Sequence, residues 1–230
     1  MPYVELHCHS AFSFLDGASH PVELANAAAE QGHEALALTD HDGLHGAMEM
    51  AQALTALGIR PITGAEVTLD DGHHLTLLCE NATGYRNLCR LLTRAHAHTR
   101  SSSTRRIATA PSVSLDAVVE HAEGLVCLSG CSRQGVHDEP TLRRLLAAFG
   151  RDDLRVELQR PFQRDDRARN RRLAELAERL GVAAVATGNV HAHARSRAPL
   201  LLLWDIDGTL LQRASIEREP AATEIGIGGD

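Results

Sequence analysis

The sequence predicts an α/β fold. Strand-like and helix-like segments alternate along most of its 230 residues, the joints between them are short, and apolar residues make up 43% of the chain. Repeated strand–helix units of this kind build a parallel sheet, either open or closed into a barrel, and the apolar fraction suffices for a sizeable core. "VELHCHS" opens the series as a short apolar strand. "PVELANAAAEQGH" (21–33) follows as a helix, with Val22, Leu24, Ala25 and Ala28 at helical spacing and Gly32 as its stop. "EALALTDHDG" gives a short buried strand, and "LHGAMEMAQALTALG" (44–58) a helix ending at Gly58. "IRPITGAEVTL" and "HLTLLCE" are the next strands, and 84–97 is a helix built on Tyr85, Leu88, Leu91 and Leu92. The segment 99–113 reads as a polar loop. A capped helix then begins near Ser114 and leads into the strand "LVCLSG". "PTLRRLLAAFG", "DLRVELQRP", "RARNRRLAELAERLG" and "VAAVATGNVH" continue the alternation.

Composition narrows the function classes. Thirty acidic residues against 23 basic ones give a net charge of −7, which argues against a general nucleic-acid coat protein. Every basic residue is arginine; the chain has no lysine. Cysteines 8, 79, 89, 127 and 131 are odd in number and irregularly spaced, as expected of reduced thiols in a cytoplasmic protein rather than a disulfide framework. No basic-then-apolar leader opens the sequence, and "LLLLW" (200–204) is far too short to cross a membrane, so no membrane partner is expected.

The chemistry-bearing residues fall where strands end. His7 and His9 lie two apart on the first strand, so they share a face while Cys8 points away, and Asp16 lies in the loop that follows. His41 ends the next strand, Glu66 closes "PITGAE", His74 begins "HLTLL", and Cys131 follows "LVCLSG". Asn189 and His191 end "VAAVATGN", again two apart. In parallel α/β barrels the carboxyl ends of the strands converge on one rim, where active sites are built. Imidazoles and carboxylates with one thiol suit zinc, manganese or iron, and a carboxylate such as Glu66 can bridge two ions. Nine further histidines (20, 33, 45, 73, 96, 98, 121, 137 and 193) are read as ordinary core or surface residues. The arginine-dense runs at 86–106 and 160–172 could hold a nucleic-acid backbone, though a solvated helix face is the preferred reading of the second.

"ELHCHS", "TDHDGL", "GAEV", "HLTLL", "LSGC" and "GNVH" resemble, in order, the motifs of the polymerase and histidinol phosphatase (PHP) superfamily. "SFLDGAS", "ENATGYRNLCRLLTRAH" and "FGRDDLRVELQRP" are more specifically similar to the PHP domain of bacterial DNA polymerase III alpha subunits, above all the error-prone paralogue. The resemblance spans about residues 3–199 and implies a PHP-type (β/α)7 distorted barrel carrying two or three divalent ions. It implies His7, His9, Asp16, His41, Glu66, His74, Cys131 and His191 as ligands. Asn189 stands where the family usually has an aspartate, which implies a weakened metal position. The implied activity is phosphoester hydrolysis, with DNA as substrate and 3′-to-5′ exonuclease action, alongside other polymerase domains or replication subunits. A non-catalytic metal-binding module and a small-molecule phosphatase of the histidinol phosphate type are the alternatives. The length leaves no room for palm, fingers and thumb, so no polymerisation is expected.

The tail departs from that pattern. "LLLWDIDGTLL" (201–211) resembles the first motif of haloacid dehalogenase-type phosphatases, with Asp205 as nucleophile, Asp207 as acid/base, and Gly208 and Thr209 in place. That family also supplies a lysine to its phosphate, and this chain has none. The expected division is therefore 1–199 as the PHP domain and 200–230 as a truncated remnant or fusion scar without a working second site.

Overall fold

The computed structural model describes residues 3–99, 109–197, 203–204 and 210–211. Six strands form one sheet in sequence order: β1 (Ala35–Leu38), β2 (Arg60–Thr68), β3 (His74–Cys79), β4 (Leu125–Leu128), β5 (Leu154–Gln159) and β6 (Ala183–Thr187). Helices α1 (Pro21–Glu30), α2 (Ala47–Ala56), α3 (Ala82–Ala95), α4 (Leu115–Glu120), α5 (Glu139–Phe149) and α6 (Asp166–Leu180) connect them. Local sequence sets the boundaries. Pro21 opens α1 behind a capping box between His20 and Glu23, the Asn81 side chain caps α3, and Gly181 stops α6 in the left-handed conformation (φ 68°).

The sheet closes on itself. Segment 5–9 pairs in parallel with β1 through Glu5 and Leu36 and with the continuation of β6 through Cys8 and Val190, so both sheet edges meet it. The sequence led us to expect an ordinary strand there, yet the segment carries only single bridges. Side chains take the amides that a ladder would use: His7 N–H donates to Glu5 Oε1 (2.8 Å) and Cys8 N–H to Thr39 Oγ1 (3.0 Å). The Cys8 side chain points away from the histidines, into an apolar cluster with Leu24, Met50 and Leu54.

A wholly parallel sheet, as expected, is not what forms. β3 runs antiparallel to both β2 and β4, whereas the other neighbouring pairs are parallel. The joint from Thr68 to His74 is a tight turn through Gly72 (φ 84°), and a parallel return needs a crossover of a dozen or more residues. The reversal brings the start of β3 to the rim where the other strands end, which places His74 beside Glu66.

Two large cores flank the barrel, one where α3 to α6 cover β2–β5 and one where α1 and α2 cover β1. Inside, Ala37, Leu78 and Leu128 form a small apolar cluster with Ile62, Val126 and Val185. The basic run at 160–172 is the solvated face expected at Arg160, Arg164, Arg167, Arg171 and Arg172, and departs from it at Arg169, which is only 7% exposed and pairs with Asp166 (2.7 Å). In the 86–106 run, Arg94 pairs with Glu120, and residues 100–108 lie outside the described residues. In the tail, Leu203–Trp204 and Leu210–Leu211 (β7 and β8) pair antiparallel. Asp205, Asp207, Gly208 and Thr209 lie outside the described residues. Among the described residues no helix is long and apolar enough to cross a membrane.

Candidate metal centre

Six loops and strand ends deliver the polar residues to one rim. Segment 5–9 projects His7 and His9 on one face, β1 leads to His41, β2 carries Glu66, β3 starts with His74, and β6 leads to Asn189 and His191. The loop after segment 5–9 returns Asp16. It is shaped by Asp40, whose carboxylate accepts from Ser10 N–H (2.7 Å), Ser10 Oγ–H (2.8 Å) and Ser13 Oγ–H (2.7 Å).

Glu66 is the hub. Its Oε2 lies 3.2 Å from His9 Nε2, 3.4 Å from His7 Nε2 and 3.5 Å from His41 Nε2, while Oε1 lies 3.1 Å from His74 Nδ1. Asp16 Oδ2 lies 3.0 Å from His41 Nε2 and 3.2 Å from His191 Nδ1. The His9 ring stacks between those of His41 and His191, with centroids at 4.6 and 4.9 Å. Asn189 Oδ1 approaches His9 Nε2 at 3.2 Å. Asn189 adopts φ 49°, a left-handed conformation that asparagine and aspartate tolerate better than other side chains, so the amide differs from an aspartate there in charge and not in shape. The Cys131 thiol neighbours His74 and accepts from Gln134 N–H.

Three groups have ligand atoms within 4.8 Å of one another: His7, His9 and Glu66; His9, Asp16 and His41; and His41, Glu66 and His74. Shared members make this one continuous cluster, and none of the nine histidines set aside from the sequence belongs to it. His96 instead hydrogen-bonds the Asp42 carbonyl, His121 the Ala117 carbonyl and His193 the Ser19 hydroxyl.

The donor set fits divalent cations on a physical test. His7 Nε2 and His9 Nε2 approach to 3.1 Å while both face the same carboxylate oxygen. Burial opposes charge on His7, but Glu157 and Glu66 outweigh it and hold its imidazole well above the usual range. Burial lowers His9 to about 4. Burial also opposes charge on His74, yet contacts with Cys131 and Glu66 push it up to about 10. Desolvation would raise Asp16, but hydrogen bonds from His191 and His41 drive it far below the ordinary carboxylate range. The cluster therefore demands positive charge at its centre, and protons on His7 and His74 meet that demand where a cation could do so by displacing them.

One functional residue escaped the sequence reading. Glu157, fully buried on β5, accepts from His7 Nδ1–H (2.7 Å), from Gln159 Nε2–H (2.7 Å) and from the Thr187 hydroxyl, all at Oε1. This contact fixes the His7 tautomer and frees Nε2 to face the cluster, the usual arrangement behind a metal-ligating histidine. The available signal was alternation: in "LRVELQ", Glu157 and Gln159 share one face while Leu154 and Val156 pack into the core on the other.

Comparison with known proteins agrees with this architecture. Curated relatives include error-prone DNA polymerases from Symbiobacterium thermophilum (40% identical, covering 85% of this chain and 20% of the relative) and from Mycolicibacterium paratuberculosis (39% identical, covering 94% and 21%). The chain thus spans about a fifth of the length of these relatives. Among solved structures, an amidohydrolase from Chromobacterium violaceum superposes with a TM-score of 0.56 at 20% identity, covering 82% of this chain and 87% of that one. A lesion-specific endonuclease from Pyrococcus furiosus superposes with a TM-score of 0.55 at 13% identity, covering 84% of this chain and 49% of the other. Identities this low speak for a shared fold alone. Residues 5–161 match the PHP domain, and with the curled barrel and its histidine-rich rim this chain belongs to the PHP domain family.

Proposed function

We propose that the rim holds two or three divalent ions and hydrolyses phosphodiesters of DNA, as the PHP domain (1–199) of an error-prone polymerase subunit, with 200–230 an inactive appendage. The observation that carries this reading is Glu66, whose two carboxylate oxygens face four imidazoles from three different parts of the chain. His7, His9, Asp16, His41, Glu66, His74, Cys131, Asn189 and His191 are the proposed ligands, and zinc, manganese or iron suits the mixture. When bound, such ions supply the Lewis acidity that polarises a phosphoryl oxygen and makes water nucleophilic near neutral pH. The protein's own residues orient the centre: Glu157 sets the His7 tautomer, and Asp16 is braced between His41 and His191. Partners in this reading are DNA and the remaining domains or replication subunits of a polymerase.

A 3′-labelled primer tests it. Cleavage from the 3′ end should require added Mn2+ or Zn2+, stop on chelation, and fall by at least about 100-fold in His7→Ala/His9→Ala. Mutating mere outer-shell partners of a metal site already costs about 10- to 100-fold. Metal-independent cleavage, or cleavage that survives the double substitution, would overturn the assignment.

A second reading, metal binding without turnover, is favoured by the neutral Asn189 amide at His9. Asn189→Asp adds a carboxylate at a backbone position that accepts it, and metal affinity should rise by about 10-fold or more, one tenfold step per ~1.4 kcal/mol. If cleavage appears only in Asn189→Asp, the chain as it stands is the binding module.

A further inference from the structure

We propose that the rim selects unpaired DNA, gripping the bases on either side of the scissile phosphate between two phenyl platforms, Phe14 and Phe162. The proposal rests on the phosphodiester reading above and names its substrate as a single-stranded end.

Aromatic residues make up only 3% of the chain, yet two of its four phenylalanines stand in solvent, Phe14 at 84% and Phe162 at 81% exposure. Both lie on strand-end loops at the rim. Phe14 sits between Ser13, whose hydroxyl contacts His9 Nδ1 (3.3 Å) and accepts from His41 N–H (3.0 Å), and Asp16. Phe162 follows Gln159, whose amide reaches His7 Nδ1 at 3.4 Å. The backbone is strained at Phe162 itself, where φ is 64°, and at Leu15, the residue after Phe14, where φ is 67°. The other two non-glycine residues with positive φ among those described, Asp42 and Asn189, are on the same rim. Conformations of this kind cost of order 1 kcal/mol each and persist where surrounding structure enforces them.

Topology sets the spacing. Segment 5–9 neighbours the end of β6, and β6 neighbours β5, so the loops that carry Phe14 and Phe162 follow strands on either side of the one that leads to Asn189 and His191. Two strand spacings amount to about 10 Å, well beyond the ~3.4 Å rise per nucleotide of a stacked strand. Adjacent bases held one at each loop would therefore have to part from each other, which a stacked duplex interior forbids.

The charge around the rings fits a phosphate backbone. The Arg160 guanidinium lies 5.4 Å from the Phe162 ring centroid, and Arg133 and Arg164 are exposed on the neighbouring strand-end loops with no ion pair among the described residues. A protein-docking patch would be contiguous and apolar. Here the rings stand on separate loops around a polar rim and arginines accompany Phe162, a combination that suits single strands by stacking and electrostatics.

Equilibrium binding of two fluorescent probes tests this without requiring turnover: oligothymidylate and an abasic strand of equal length. The unaltered chain should prefer oligothymidylate. Phe14→Ala and Phe162→Ala should each weaken oligothymidylate binding by roughly 5- to 100-fold, the stacking contribution of one base, and should each reduce that preference by the same factor, while Phe162→Trp retains it. No preference in the unaltered chain, or an undiminished preference in both alanine variants, would overturn the proposal and leave the rings to a protein partner. Absence of primer cleavage in every variant would instead count against the phosphodiester reading and leave this comparison readable.

Discussion

Glu66→Gln is expected to lower metal affinity by more than about 100-fold and to end primer cleavage, although the side chain barely changes in size. The carboxylate offers an oxygen to each side of the cluster, Oε2 toward His7, His9 and His41 and Oε1 toward His74. An amide has one acceptor oxygen and turns an N–H toward whichever imidazoles it then faces. One of two adjoining cation positions would thereby meet a donor where it needs a lone pair, and the centre would lose a full negative charge. Losing even an outer-shell partner costs 10- to 100-fold in affinity, so a ligand shared between positions should cost more. The metal-free protein should weaken too, by about 3 kcal/mol or more, because buried protonated imidazoles lose their counter-charge. Calorimetric Mn2+ titration reads the first effect and urea unfolding in chelator reads the second. Unchanged affinity would show that Glu66 braces the histidines without ligating.

Glu157→Gln tests the orientation of His7. The carboxylate gathers three donors at Oε1, while Oε2 has no partner among the described residues. A glutamine that keeps its oxygen toward His7 buries an N–H2 where the carboxylate oxygen has no partner among the described residues, and an unsatisfied buried donor costs about 1–3 kcal/mol. A glutamine that flips donates to His7 Nδ1 and drives the proton to Nε2, which then cannot face a cation. Either outcome should weaken metal binding by about 10- to 100-fold while leaving the first ligands in the sequence intact. Chemical denaturation and metal titration separate the two: a stability loss with normal affinity would make Glu157 a packing residue only.

Much of this centre was legible in the sequence because strand periodicity is rigid. Residues two apart on a strand share a face, so His7 could be paired with His9 before any coordinates, whereas Asn189 and His191 lie beyond the end of β6, where Asn189 turns left-handed and strand alternation no longer applies. Loop residues were less tractable: that Asp16 meets both His41 and His191 depends on Asp40 folding the 10–17 loop through Ser10 and Ser13. The direction of β3 was missed because apolar pattern reports burial and not polarity of the chain, even though the tight turn after Thr68 excluded a crossover. Glu157 was missed because an isolated acidic residue in an amphipathic strand reads as a solvated one until the other side of the sheet is known to be a closed interior. Arg169 was misjudged similarly, since a basic helix face gives no sign that one member is covered by Asp166 and the Gln159 carbonyl. The exposed rings of Phe14 and Phe162 belong to the same class, since no periodic pattern marks a loop residue as projecting into solvent.

Everything proposed for the rim depends first on whether it holds metal. Elemental analysis of the purified chain, folded by circular dichroism and dialysed against metal-free buffer, should find two or three ions of zinc, manganese or iron per chain, and His7→Ala/His9→Ala should lose them. A folded chain that takes up no metal after incubation with all three, or a double variant that keeps a full complement, would contradict it.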